Sequence, residues 1–194
     1  MPLSTIARRM SIRPSPTLRP RRRRPHPPRR RRRRRVIVPA GEERVDLGGA
    51  LVLPGVIDGH VHFDDPGFTH REDFSSGTCA AAAGGVTCVV AMPCTSLPPI
   101  TNPAAFEVKL AAISTKAHVD FMLWGGVSAN ALLAPDWERN LEGLADAGVA
   151  AIKVYTLSGM DTFHHLDREQ LVTTMGEARR LDLPVGVHAE DPDM

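Results

Sequence analysis

From residue 54 onward, short runs of apolar residues alternate with segments in which apolar residues recur every three or four positions. The apolar runs predict five strands, at residues 55–63, 86–92, 119–124, 149–156 and 184–188. The helical spacing predicts helices at residues 72–83, 103–113, 137–147 and 168–178. Strands and helices in alternation indicate a parallel sheet covered by helices, and therefore an α/β fold.

Local signals set the ends of these helices. Asn102 before Pro103 is a favoured pair of N-cap and first helical residue, and Asp167 with Gln170 forms a capping box. A glycine follows residue 147 and is expected to end the third helix. The first helix, at residues 72–83, would begin with acidic residues in its first turn and end at a pair of glycines.

Candidate chemistry lies near the carboxyl ends of three predicted strands. His60 and His62 share one face of the first strand with Asp58, because side chains at i and i+2 point the same way, and the apolar run predicts that this strand is buried. Lys153 and His188 lie on the fourth and fifth strands. Five such units suit either an open doubly wound sheet or part of a barrel, and barrel active sites lie at this end of the strands. We therefore predict a partial TIM (β/α)8 barrel, strands one to five only, over residues 54–194.

Charge divides the chain unevenly. Residues 1–35 contain 15 arginines and no acidic residue, whereas all 22 acidic residues lie in the remainder. The basic segment is rich in proline and poor in apolar residues, so we predict that it is disordered. Residues 36–53 alternate apolar and polar positions between glycines and predict one or two short strands, too few for a domain of their own.

The arginine tract leaves several interpretations open. It could neutralise phosphates of nucleic acid, act as a nuclear signal, or belong to an organelle transit peptide that begins at residue 1. Translation of GC-rich DNA in a wrong frame yields the same composition. Since nothing in residues 36–194 supports nucleic-acid binding, we do not expect nucleic acid as a partner.

Composition also bounds the compartment. No run approaches the ~20 apolar residues of a membrane span, and we expect no membrane association. The three cysteines, Cys79, Cys88 and Cys94, are odd in number and include no Cys-x-x-Cys pair, which favours a reducing compartment. We therefore expect a cytoplasmic protein, with import into an organelle as the alternative.

Several motifs in order resemble the amidohydrolase superfamily and, within it, the cyclic amidohydrolases: dihydroorotase, allantoinase and the hydantoinases. The resemblance covers about residues 45–194 and is carried by PGVIDGHVHF at 54–63, PG at 66–67, AAAAGGVT at 80–87, MP at 92–93, IK at 152–153 and VHAE at 187–190. The run PGFTHREDF at 66–74 is most similar to dihydroorotase.

The resemblance implies two divalent metal ions, with zinc the expected element. It assigns His60 and His62 to one ion, His188 to the other, and Lys153 to both as a carboxylated, bridging ligand. A buried amine that stays neutral can take up carbon dioxide, and two ions then activate water and polarise an amide carbonyl. The family takes a further histidine from strand six and a proton-shuttling aspartate from strand eight, beyond the last residue of this sequence. The resemblance therefore implies no catalytic acid or base within the chain, and a truncated product that is inactive alone. The resemblance also implies that residues 36–53 are a remnant of the family's N-terminal β-sandwich portion.

Two departures bear on the substrate. Dihydroorotases usually place an arginine and an asparagine, which bind the substrate, where this sequence has Asp64 and Cys94. A carboxylate at residue 64 would repel the carboxylate of dihydroorotate. We expect both residues to contact a small cyclic amide or ureide. The readings left open are a dihydroorotase-like hydrolase, an allantoinase or hydantoinase, and a non-catalytic remnant; the full-length enzyme would form a homo-oligomer.

Overall fold

A computed structural model describes residues 47–191 of the 194. The chain divides into two compact units, residues 1–53 and 54–194. In the first unit only residues 47–53 are described. They contain a turn at Gly48 and Gly49, closed by a hydrogen bond from Ala50 N to Leu47 O of 3.1 Å, and no strand. The strands predicted for residues 36–53 are thus absent from 47–53; the rest of that segment, and residues 1–35, lie outside the described residues.

The second unit alternates parallel strands and helices, which confirms the predicted α/β class. Its strands are β1 (Val56–Val61), β2 (Val86–Ala91), β3 (Asp120–Leu123), β4 (Gly125–Gly126), β5 (Ile152–Tyr155) and β6 (Val185–His188). Its helices are α1 (Phe74–Ala83), α2 (Pro103–Ile113), α3 (Ala129–Leu132), α4 (Trp137–Ala147) and α5 (Arg168–Arg180). The described strands form two three-stranded sheets, ordered β1-β2-β3 and β4-β5-β6, and every pairing is parallel.

The two glycines after the third predicted strand form a short strand of their own. Gly125 and Gly126 form β4, which pairs with Ile152 and Lys153 of β5 and opens the second sheet. A Cβ atom at Gly126 would lie only 2.7 Å from the ring of Phe163, so a residue without a side chain is required for this close approach. The predicted fourth and fifth strands are therefore β5 and β6.

The helix ends follow local chemistry closely. Asn102 and Asp167 each accept a backbone hydrogen bond as N-caps, the latter in the predicted capping box, and α4 ends at Gly148 with φ 86°. The prediction for α1 was wrong at its start, because Asp73 is the N-cap and accepts from Ser76 N at 2.6 Å, which leaves no acidic residue in the first turn. The single-turn helix α3 has no counterpart in the sequence prediction.

Burial differs sharply between the strands. All four residues of β5 are buried, and the main core packs around them and the faces of α1, α2 and α4. The predicted burial of the first strand is wrong: β1 is exposed over nearly its whole length, with Val56 56% and Ile57 62% exposed. It lies at the end of its sheet, and among the described strands it has β2 as its one neighbour. Within the described residues, no helix is both long and apolar enough to cross a membrane.

Candidate metal centre

His60 and His62 converge at the end of β1. Their Nε2 atoms are 3.2 Å apart, because both side chains leave the same face of the strand. Two nitrogen ligands of one tetrahedral zinc ion, each about 2.0–2.1 Å from the metal, lie roughly 3.3 Å from one another. Asp58 does not join them: its Oδ1 accepts a hydrogen bond from His60 N at 3.1 Å. The histidine pair therefore fits one ion.

A buried thiol and a phenol connect this pair to the second sheet. Cys94, in the loop after β2, places its Sγ 3.9 Å from His62 Nδ1 and 3.0 Å from the hydroxyl of Tyr155. Burial raises the pKa of both Cys94 and Tyr155, and their mutual hydrogen bond raises that of Tyr155 further. Both groups are therefore protonated and uncharged at neutral pH.

Tyr155 in turn contacts the two remaining candidate ligands. Lys153 Nζ lies 4.8 Å from the centre of the Tyr155 ring, and the ring of His188 lies 4.9 Å from it at an interplanar angle of 30°. Lys153 is 4% exposed and forms no ion pair with any described residue. Sequence reasoning missed Tyr155, although its position two residues after Lys153 on one strand face was the available signal.

Burial favours the uncharged forms that ligation requires. It lowers the pKa of Lys153, and it lowers that of His62 together with the nearby positive charges of His60 and Lys153. A neutral amine is the form that takes up carbon dioxide, and a neutral imidazole is the form that binds a metal. The chemistry of these donors therefore fits the metal centre that the sequence implied.

The four predicted ligands lie near one another, but they do not form a complete coordination sphere. Lys153 is the second residue of β5 and does not lie at its carboxyl end, whereas His188 ends β6. His188 Nε2 is held by Glu190 Oε1 at 2.8 Å. Among the described residues, no three His, Cys, Asp or Glu side chains converge closely enough to hold an ion. An ion bound by His188 Nε2 would therefore displace Glu190.

Trp124 bridges the strands that carry these ligands. Its Nε1 donates a hydrogen bond to Gly59 O at 3.0 Å, directly before His60. Its ring also packs against Gly186, where a Cβ atom would lie 2.8 Å from the indole. Gly186 pairs in register with Lys153. The indole thus contacts the backbone of both sheets that carry candidate ligands.

The two predicted substrate residues lie in different surroundings. Asp64 is 4% exposed; its Oδ2 is 3.0 Å from Arg71 Nε, and its buried Oδ1 has no hydrogen-bond partner within residues 47–191. Cys94 borders a cavity of about 260 Å³. The cavity is lined by Phe68, Arg71, Cys94, Thr95, Met160, Asp161 and Thr162. Asp64 is therefore linked to the cavity by its contact with Arg71 and does not line it. The sequence did not indicate Arg71 as a site residue.

Comparison with known proteins defines the class. Residues 49–191 match the family model described as dihydro-orotase-like. Similar curated proteins are the allantoinases of Rubrobacter xylanophilus, 48% identical over 77% of this chain and 32% of that protein, and Streptomyces avermitilis, 45% identical over 80% and 34%. The L-hydantoinase structure from Arthrobacter aurescens matches 74% of this chain and 31% of its own, with a TM-score of 0.68 and 30% identity.

A dihydroorotase structure from Saccharomyces cerevisiae, with 5-fluoroorotic acid, has a TM-score of 0.54 at 19% identity and covers 72% of this chain and 37% of its own. That similarity concerns the fold. Together these matches confirm the predicted cyclic amidohydrolase group of the amidohydrolase superfamily. Within it, the chain belongs to the dihydro-orotase-like family. It spans about a third of the length of the curated relatives it matches.

Proposed function

We propose that this chain forms the part of a metal-dependent cyclic amidohydrolase that holds two divalent ions, with zinc the expected metal. His60 and His62 would hold one ion and His188 the other, and Lys153, once carboxylated, would serve both. The observation that carries the proposal is the cluster around Tyr155, which gathers side chains from both sheets within contact distance.

When bound, the ions supply an activated water and polarise the carbonyl of the scissile amide. The residues of this chain hold and orient that centre. The buried, unpaired amine of Lys153 is suited to carboxylation, and the hydroxyl of Tyr155 fixes Cys94 beside His62. No residue of the cluster is assigned the proton transfer to the leaving nitrogen, a step that the resemblance gives to an aspartate of strand eight. We expect the chain alone to lack hydrolase activity.

The same proposal extends to the architecture of the chain. Strands β1 to β6 make up part of a TIM (β/α)8 barrel over residues 54–194. The parallel sheets, and the likeness to a hydantoinase structure at 30% identity, support the barrel assignment. We propose a cytoplasmic homo-oligomer for the complete enzyme.

For the substrate we propose a cyclic ureide, with dihydroorotate as a poorer one. The allantoinase names of the relatives at 48% and 45% identity support this choice over the dihydroorotase reading that the run at residues 66–74 favours. The presence of Asp64 and Cys94, where dihydroorotases usually place arginine and asparagine, supports it as well.

Carboxylation of Lys153 provides the test. The 194-residue chain is refolded with zinc and isotopically labelled bicarbonate, and the carbamate carbon is observed by NMR while bound zinc is measured by atomic spectroscopy. We expect one carbamate signal and about two zinc ions per chain. Lys153→Met should abolish the signal and lower the zinc content.

Lys116→Met is the matched control, because Lys116 is a half-buried lysine that pairs with Asp65 at 2.7 Å and lies outside the cluster. This variant should retain both the signal and the zinc. A carbamate that survives in Lys153→Met, or a wild-type chain that binds no zinc, would contradict the proposed centre.

A further inference from the structure

The cavity beside Cys94 contains a guanidinium group with free donors. Arg71 uses Nε to contact Asp64 Oδ2 at 3.0 Å, and its Cζ lies 5.2 Å from the centre of the Phe68 ring. Its terminal Nη groups form no hydrogen bond with any described residue, and its side chain remains 55% exposed. A guanidinium fixed by an ion pair on one side and an aromatic ring on another presents a rigid pair of donors.

The loop that carries these groups is held by its own backbone. Phe68 N donates to Asp64 O at 2.8 Å, and Arg71 N donates to Phe68 O at 2.9 Å. Two successive turns therefore bring residue 71 back over residue 64. Since Asp64 follows His62 by two positions, the same loop connects the guanidinium to the metal-binding end of β1.

Asp64 also sets the charge of this donor. Its carboxylate is nearly excluded from water, and its Oδ1 has no hydrogen-bond partner among the described residues, so Arg71 is the cation in direct contact with it. A second carboxylate, that of Asp161, lines the same cavity. The cavity lining thus carries one guanidinium, itself paired with Asp64, and one carboxylate, so these side chains hold no surplus positive charge to attract an anion.

We propose that Arg71, oriented by Asp64, is a specificity-determining residue that donates hydrogen bonds to a carbonyl oxygen of an uncharged cyclic ureide. Asp64 acts through Arg71: by neutralising the guanidinium it disfavours a ring that bears a carboxylate. This inference rests on the proposed function, because it takes the cavity to be the substrate pocket beside the metal centre. Under this proposal, the pair Asp64 and Arg71 discriminates between neutral and anionic rings.

The test compares two ring compounds on the zinc-loaded 194-residue chain. Hydantoin is uncharged and dihydroorotate bears a carboxylate, and the dissociation constant of each is measured by NMR titration. The wild-type chain should bind hydantoin more tightly. Arg71→Met should weaken hydantoin binding by about tenfold, equivalent to roughly 1.4 kcal/mol. Asp64→Asn, of nearly equal shape, should shift the ratio of the two constants toward dihydroorotate by about tenfold.

Arg139→Met is the matched control, since Arg139 is an exposed arginine on α4. It should leave both constants unchanged. Near-ultraviolet circular dichroism verifies the fold of each variant, and zinc content is measured on the same samples. Because Arg71 is exposed, its variant remains informative even if Asp64→Asn does not fold.

Three results would overturn the inference. In the first, Arg71→Met behaves like the control. In the second, a folded Asp64→Asn chain leaves the ratio unchanged. In the third, the wild-type chain holds zinc and carbamate but binds neither ring. Each of these leaves the metal centre intact, whereas failure of the proposed function is recognised separately by the absence of zinc and carbamate from the wild-type chain.

Discussion

Lys109 illustrates how one side chain supports the segment that carries the histidines. It lies on α2 with no exposed surface, donates a hydrogen bond to Phe63 O at 3.0 Å, and has its Nζ 5.8 Å from the centre of the Phe74 ring. Burial lowers the pKa of its amine to about 8, and the negative charges of Asp65 and Asp64 offset only part of that effect. The amine fixes the backbone immediately after His62.

This buried amine predicts an unusual dependence of stability on pH. The folded chain releases the Lys109 proton near pH 8 and the unfolded chain near 10.5. Between these values the unfolded state binds more protons, so the free energy of unfolding rises with pH. The cost of burying the charge is fully present below pH 8 and disappears by about 10.5. Relative to Lys109→Met, the wild type should gain up to roughly 3 kcal/mol over that interval.

Urea denaturation of both proteins, below pH 8 and near pH 10, measures this difference. The comparison with Lys109→Met cancels the titration of groups that the two proteins share. Lys116→Met is a suitable control, because Lys116 is half-buried and pairs with Asp65 at 2.7 Å. A stability difference that does not change with pH would show that Lys109 is charged in the folded state.

Contacts that follow from regular spacing along a strand could be predicted from the sequence. Contacts that depend on the path of a loop could not. His60 and His62 are separated by one strand repeat, and their convergence follows from that spacing. Arg71 reaches Asp64 only because two turns reverse the chain between them, and no periodicity in the sequence encodes that approach. Substrate contact was assigned to Asp64, whereas the cavity beside Cys94 is lined by Arg71.

At the scale of elements, most helix ends other than the start of α1 were predicted well, because they depend on neighbouring residues alone. The caps at Asn102 and Asp167 and the glycine after α4 are local features. Strand burial was predicted poorly for β1, since it depends on which elements pack alongside, and the sequence did not show that β3 and β4 belong to different sheets. An apolar sequence indicates a strand but not its neighbours.

Two glycines provide a paired test of backbone conformation. Gly148 ends α4 with φ 86°, a conformation that costs other residues roughly 1–2 kcal/mol, and no atom would obstruct an added Cβ. Gly148→Ala should therefore destabilise the chain by about 1 kcal/mol. Gly176 lies within α5, also in open space and without a positive φ, so Gly176→Ala should stabilise it by roughly 0.5–1 kcal/mol.

Thermal unfolding of the two variants beside the wild type checks both signs. Because neither substitution creates or removes a side-chain contact, the opposite shifts isolate the backbone term. If both variants were less stable than the wild type, open space around a glycine would not predict that an alanine is tolerated there.

At the scale of the whole molecule, the candidate centre depends on both sheets being in place. His60 and His62 come from the first sheet, and Lys153 and His188 come from the second. No single strand supplies more than two of the four predicted ligands. The centre is therefore a property of the assembled second unit, and its metal affinity should fall whenever the two sheets separate.

The exposed strand β1 predicts self-association. An apolar strand at the end of a sheet offers unpaired backbone groups and apolar surface to another chain. Ile57, 62% exposed, lies within it. Ile57→Lys should reduce concentration-dependent association, measured by analytical ultracentrifugation. The control is Val172→Lys, because Val172 is 64% exposed but lies on helix α5. If both variants reduced association equally, the cause would be exposed apolar surface in general and not pairing at the edge of β1.

The position of Trp124 gives the molecule a built-in optical probe. The protein has two tryptophans, and the other, Trp137, lies on α4 and packs against the main core. The indole of Trp124 is hydrogen-bonded beside His60 and stacked on the strand that ends at His188. Its emission therefore senses the polarity and spacing of the ligand-bearing strands directly. In a Trp137→Phe background, loading of the centre can be followed by fluorescence without any attached dye.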